Sequence, residues 1–229
     1  MNTGFAIEVP PAKIAFFDLD ETVTDADTDV LWGRWRPRSP RGLIEGVWLR
    51  KLYRDFRRGG LDIEELLKFM RFRVGPLTAE EFRARGRDFF EHAGKGHVHG
   101  EAAALIAALK RKGCRVVLLT SQHDCIAGPF AEYIGMDDMI AVRFEVAEGR
   151  FTRPVRPCSF GEGKVLLGRQ YAERAGVSLS DCAYYGDSIY DAFFMSLVGH
   201  PYAVNPDRLL ERRAGEENWK ILRFGAAER

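Results

Sequence analysis

Four short apolar runs, each stopping abruptly at polar residues and separated by helical stretches, constrain this chain more than any other feature. They fall at residues 14–17 (IAFF), 115–119 (RVVLL), 183–185 (AYY) and 202–204 (YAV). A run this short, apolar throughout and flanked by polar residues or glycine, reads as a strand buried on both faces of a parallel sheet. Helical patterns lie between or after the runs, at about 101–112, 125–134, 163–175, 188–198 and 206–213. Gly113 closes the first of them, as a helix C-terminus requires. Strands alternating with helices predict an α/β fold, a Rossmann-like doubly wound parallel sheet. Ligands of such sheets bind beyond the carboxyl ends of the strands. The chemically active groups fall there: Asp18 and Asp20 after the first run, Thr120 and Ser121 after the second, Asp187 after the third.

Residues 30–95 contain no comparable run. Leu43, Val47, Leu52 and Phe56 recur at helical spacing, and Asp62 with Glu65 and Thr78 with Glu81 read as capping boxes opening two further helices. A mostly helical cap at 25–95, inserted into an α/β core of 1–24 and 96–229, is the expected organisation. Residues 139–155 alternate in places and turn at Glu148-Gly149, which predicts a β-hairpin.

The segment Asp18-Leu-Asp-Glu-Thr22 puts two carboxylates at i and i+2 just past a buried strand, on one side if the backbone stays extended. Anionic phosphate oxygens repel nucleophiles, so phosphoryl transfer needs counter-charge and a nucleophile held in line. A carboxylate can be that nucleophile, and a second carboxyl can protonate the leaving oxygen and later deprotonate water. Magnesium is the natural counter-charge for such a site. Gly186-Asp-Ser-Ile-Tyr-Asp191 brings two more carboxylates after a strand, and Lys164 opens a helix behind two glycines. Thr120 and Ser121 supply hydroxyls and backbone N–H groups suited to phosphate oxygens.

This set, in this order, resembles the haloacid dehalogenase superfamily, specifically its phosphoserine-phosphatase-like branch, over about residues 13–208. The resemblance rests on Asp18-Leu-Asp-Glu-Thr22, Leu119-Thr120, Lys164 and the Gly186–Asp191 loop. It implies that Asp18 is nucleophile and metal ligand, and that Asp20 is the general acid/base, offering its backbone carbonyl to Mg2+. It further implies that Thr120 and Lys164 hold the phosphoryl oxygens, that Asp187 completes the carboxylate ligands and that Asp191 supports the metal shell. By spacing within the branch, Asp27 would hold a substrate ammonium and Arg73, with Arg71 as the alternative, a substrate carboxylate, making phosphoserine or a related amine-bearing ester the expected substrate. Two positions depart from the pattern. Glu21 stands where Gly, Ser or Asn is commoner, and Tyr190 where phosphoserine phosphatases have Asn. The expected function is a magnesium-dependent phosphatase working through a phosphoaspartyl intermediate on a small phosphorylated metabolite. Transfer to another acceptor and phospho-ligand binding without catalysis are the alternatives.

Lys and Arg number 34 against 33 Asp and Glu, a formal net charge of +1, which gives no global argument for nucleic acid as a partner. No run approaches the ~18 apolar residues of a membrane span. The N-terminus MNTGFAIEVPPAK has no leader-like pattern. Cys114, Cys125, Cys158 and Cys182 show no C-x-x-C spacing and read as reduced thiols, so a cytoplasmic location is expected. His97 and His99 read as a loop feature, Trp32, Trp35 and Trp48 as packing, and the basic stretch 34–58 as the solvated face of a cap helix, contact with a membrane surface or a polyanion being the alternative.

Overall fold

The computed structural model describes residues 9–36 and 39–225. Residues 1–8, the start of the expected core and of the stretch read for a leader, lie outside it. So do 226–229, the last residues of that core, and 37–38 within the basic stretch. Six strands form one parallel sheet: β1 (Ile14–Phe17), β2 (Arg115–His123), β3 (Asp138–Val142), β6 (Cys182–Gly186), β7 (His200–Val204) and β8 (Lys220–Leu222). Their order is β3-β2-β1-β6-β7-β8. Phe17 pairs in register with Leu118 on one side and Tyr185 on the other, so the central strands end at one level.

Successive residues of these strands alternate between two cores, as the period of two requires. Ala15, Phe17, Val116, Leu118, Ala183 and Tyr185 pack into one, while Ile14, Phe16, Val117, Leu119, Cys182 and Tyr184 pack into the other. Both faces are covered, which is why the runs are apolar without alternation. Helices α5 (Gly100–Arg111), α6 (Asp124–Ile134), α7 (Glu162–Arg174), α8 (Ala192–Met195) and α9 (Arg208–Glu216) follow or separate the strands. The four cysteines are buried free thiols.

Between β1 and α5 the described residues form four α-helices, α1 (Thr28–Trp35), α2 (Pro40–Arg57), α3 (Ile63–Val74) and α4 (Ala79–Phe89), then a π turn and a 3-10 turn at Phe90–His97, and no sheet strand. The chain running into this insertion is stitched to the chain leaving it. Asp25 N–H donates to the His97 carbonyl and His99 N–H to the Val23 carbonyl, both at 2.9 Å, around an antiparallel bridge of Thr24 and Val98. His97 is occupied by Asp25 at 2.6 Å, and His99 by Asn205 and the Phe224 ring. Trp32 and Trp35 pack with Phe89, and Trp48 with Phe69 and Phe72. On α2, Leu52 is buried and Phe56 half-buried, whereas Leu43 and Val47 face solvent.

Four expectations change. The hairpin is shorter than 139–155: β4 (Phe144–Ala147) and β5 (Arg150–Pro154) form it, while residues 138–142 join β2 as the parallel edge strand. A sixth strand, β8, lies beyond the runs read from sequence, because it is only three residues long and largely exposed. The helix expected at 188–198 is a 3-10 turn followed by the four-residue α8, since Asp191 turns back to cap Ser188. Thr78 and Glu81 form the reciprocal cap of α4. Asp62 caps α3 alone, because Glu65 turns to Lys68 and Lys51 instead.

Candidate active site

A cavity of about 400 Å³ opens at the carboxyl ends of β1 and β6, beneath α2 and α3. Asp18, Asp20, Glu21, Asp27, Asp29, Ser121, Lys164 and Asp187 line it from one side. Leu49, Tyr53, Phe56, Arg57 and Tyr190 form an aromatic and basic wall opposite, and Asp207 and Arg208 stand at its edge. The position follows from the topology: β1 lies between β2 and β6, and the connections from its two sides diverge there.

At the floor, Lys164 donates from Nζ to Asp18 Oδ1 at 2.8 Å, Asp191 Oδ1 at 2.7 Å and the Tyr184 hydroxyl at 3.2 Å. Tyr184 in turn donates to Asp191 Oδ1 at 2.6 Å. Gly163, one residue before Lys164, lets the first turn of α7 pack on the preceding loop, since a Cβ there would lie 1.7 Å from the Cys158 carbonyl oxygen. Burial pushes the Asp18 carboxyl up to about 6, with Lys164 opposing that rise. Burial works against the charge of Lys164, but Asp18 and Asp191 hold its ammonium well above its ordinary pKa. Burial, then Asp18 and Asp191, push Asp187 well above the usual carboxylate range.

Asp20 is two residues past Asp18, and its Oδ1 accepts the Thr28 N–H at 2.6 Å. Burial, followed by the charges of Asp27, Asp18 and Asp29, raises its pKa well above the ordinary value. Glu21 then turns the chain at φ 53°, the left-handed region that costs a residue with a Cβ about 1–2 kcal/mol. This departure from the family pattern thus falls where glycine would relieve the backbone.

Carboxylate oxygens of Asp18, Asp187 and Asp191 lie within 4.8 Å of one another, all three residues buried. Crowded carboxylates offset by one lysine favour an added cation, and an all-oxygen donor set suits hard Mg2+ rather than zinc. The residues present therefore fit magnesium.

The remaining expected residues divide. Ser121 lines the cavity. Thr120 is fully buried behind it, its Oγ1 accepting the Gln122 N–H at 3.1 Å and its carbonyl the Ser159 hydroxyl at 2.6 Å. Asp27 lines the cavity while capping α1 through the Val30 N–H at 2.9 Å, and burial, then Asp29, raises its pKa to about 7. Arg73 departs from its expected place. It is buried away from the cavity walls, with Nε on Glu45 Oε1 at 2.9 Å and Nη1 on Asp29. Two carboxylates already engage the guanidinium that was expected to face a substrate carboxylate. Tyr190 stacks on Phe56 and meets Phe160 at a tilt, each ring centre 4.8 Å away, and its hydroxyl accepts the Leu61 N–H at 2.8 Å. It joins the core loop to the helical insertion.

Sequence reading missed Asp29, Tyr53, Phe56, Gln122, Ser188, Asp207 and Arg208. Asp29 was visible as an acid two places past Asp27. Tyr53 and Phe56 belong to no motif and reach the site only because α2 folds over it.

The family model for haloacid dehalogenase-like hydrolases matches residues 15–196. A histidinol-phosphatase of Neisseria meningitidis serogroup C (strain 8013) is 29% identical over 221 residues, covering 93% of this chain and 99% of that one. The crystal structure of a protein with unknown function from Bordetella pertussis Tohama I has a TM-score of 0.81 at 26% identity, covering 91% and 97% of the two chains. A substrate-bound phosphoserine phosphatase shares the fold, with a TM-score of 0.70 at 20% identity over 92% of each chain.

Proposed function

The chain belongs to the haloacid dehalogenase-like hydrolases and is related to phosphatases among them, and from that premise we propose that it hydrolyses a phosphate monoester through a phosphoaspartyl intermediate. One observation carries the reading. Two carboxyls two residues apart meet opposite surroundings: Asp18 lies 2.8 Å from the Lys164 ammonium, whereas burial and the neighbouring acids Asp27, Asp18 and Asp29 push the pKa of Asp20 upward, as suits a proton donor.

An Asp18 oxygen attacks phosphorus, the bond to the ester oxygen breaks with its electron pair, and Asp20 gives that oxygen its proton. Asp20, now a carboxylate, removes a proton from water as the water oxygen attacks the phosphoryl group. The bond to Asp18 breaks, which restores its carboxylate and releases inorganic phosphate. Lys164 keeps Asp18 ionised and reaches a phosphoryl oxygen by releasing a present partner, Tyr184 being the most distant. Ser121 donates to a second oxygen. Asp18 and Asp187, with the Asp20 carbonyl, would hold Mg2+, and Asp191 would steady Lys164 behind them. The bound ion supplies positive charge against the phosphoryl oxygens. The helical insertion at 25–95 acts as a cap that keeps bulk water out during transfer.

The substrate is a small amine-bearing phosphorylated metabolite. Asp27, Asp29 and Glu21 offer carboxylates to an ammonium, while Tyr53, Phe56 and Tyr190 offer ring faces. With Arg73 engaged by Glu45 and Asp29, the cavity acids Glu21, Asp27 and Asp29 outnumber its two arginines, Arg57 at the Tyr53 hydroxyl and Arg208 at the edge, so the walls favour an amino-alcohol phosphate over an amino-acid phosphate. Histidinol phosphate, the ester implied by the name of the Neisseria relative, has an amine and no carboxylate. The four buried free thiols suit the cytoplasm. The test is inorganic phosphate release from histidinol phosphate, phosphoserine and an aryl phosphate, with and without magnesium. Turnover of none of them with magnesium present would count against phosphatase chemistry, and a preference for phosphoserine would count against the amino-alcohol reading.

A further inference from the structure

Helix α2 is built the wrong way round for a helix that only packs. At about 100° per residue, Leu43, Ile44, Val47, Arg50, Lys51, Arg54 and Arg57 fall on one outward stripe roughly 140° wide, which Arg58 continues just past the helix. Leu43, Ile44 and Val47 are 72%, 57% and 65% exposed, a contiguous apolar patch one turn long. The basic residues continue the same stripe toward the C-terminus. No acid occupies an exposed position of the helix: Glu45 is buried against Arg36 and Arg73, and Asp55 is half-buried, in loose contact with Lys51 at 3.7 Å and Arg54 at 3.8 Å.

Beside the stripe, between α1 and α2, lies a groove of about 660 Å³ lined by Arg34, Arg50, Arg54, Arg57 and Arg58, and by Arg36 with the Glu45 that pairs with it. Its floor is open at Gly33 and Gly46, where a Cβ would meet nothing within 4 Å. Among the described residues, no carboxylate pairs with Arg34, Arg50 or Arg58.

We infer that this face of α2 docks the protein on an anionic phospholipid surface, with Leu43, Ile44 and Val47 entering the acyl boundary and the arginines meeting headgroup phosphates. The occupant follows from complementarity. A second copy of the same face would set cations against cations. A nucleic acid would satisfy the arginines but gives the three aliphatic side chains no apolar medium. An anionic bilayer provides both, and its deformable surface accepts a convex helix that no groove needs to match. The face uses no residue assigned to the chemistry except Arg57, which also lines the catalytic cavity. The cavity mouth therefore lies beside the docked surface.

The experiment is co-sedimentation of the intact protein with vesicles of phosphatidylcholine alone or mixed with phosphatidylserine. Binding is expected to the mixed vesicles and not to the neutral ones, and to weaken as salt rises. Leu43→Asp with Val47→Asp, and separately Arg50→Glu with Arg54→Glu, should each weaken it at least about tenfold, as loss of two contacts of this kind implies. Both pairs should keep the wild-type kcat/KM on a soluble aryl phosphate, which also establishes that they fold. No binding to mixed vesicles at low salt would overturn the inference, and so would binding that either variant pair retains. A concentration-dependent dimer abolished by the same substitutions would assign the face to self-association instead.

Discussion

Replacing Arg73 with methionine separates a structural arginine from a substrate clamp. In the folded protein its guanidinium lies between Glu45 and Asp29, with the Arg73 and Glu45 side chains only 2% and 3% exposed. Methionine fills much of the same volume but leaves Glu45 buried with Arg36 as its one cation and strips Asp29 of its charge partner. Breaking a buried ion pair from one side costs about 3–5 kcal/mol. For a domain of this size each kcal/mol lowers Tm by roughly 2–4 °C, so the melting temperature should fall on the order of 10 °C. Arg73→Lys should recover part of that loss, because it restores the charge without the fork that reaches both carboxylates. The assay is thermal unfolding followed by circular dichroism, with steady-state kinetics on phosphoserine and an amine-bearing ester lacking a carboxylate. The reasoning predicts a large fall in Tm and similar changes in KM for both esters. A Tm within about 2 °C of wild type, together with a KM raised tenfold for phosphoserine alone, would refute it and return Arg73 to the substrate.

Asp18→Asn should lower phosphate release by more than ~10²-fold while the circular dichroism spectrum is retained, since the amide is nearly isosteric but a poor nucleophile. Chelation of divalent cations should abolish turnover, magnesium should restore it, and calcium, whose looser shell fits in-line transfer poorly, should not. Asp27 must be ionised to hold an ammonium, and its pKa is raised to about 7, so KM for an amine-bearing ester should rise as pH falls below that value. Asp27→Asn should flatten this limb in a pH–KM profile and leave amine-free esters unaffected. Tyr190→Ala removes two ring contacts, each worth about 0.5–1.5 kcal/mol, between the core loop and the insertion. It should raise KM more than it lowers kcat, as measured on the best ester found.

The sequence by itself determined the four inner strands β2, β1, β6 and β7 and the polar residues at their carboxyl ends, but not the edge strands β3 and β8. Residues 14–17 and 183–185 read as strands buried on both faces because they are short, apolar throughout and closed by polar residues or glycine, and the acids after them lie at the carboxyl ends. Asp18, Asp20, Lys164 and Asp187 were legible because each is tied to its element by local order, a strand end or a helix start. The tertiary structure alone decided what each further side chain meets. Arg73 appeared free for a ligand because the carboxylates that engage it, Glu45 and Asp29, lie 28 and 44 positions away on other helices. Leu43 and Val47 share helical spacing with Leu52 and Phe56, yet only the latter pair turns inward, since periodicity marks a helix without saying which side its neighbours occupy. Tyr190 departs from a family pattern in sequence and proves to be a contact between core and insertion. The division has one physical cause: backbone preference and burial period act between near neighbours and can be read along the chain, whereas ion pairs and ring contacts are fixed by which distant surfaces the folded chain brings together.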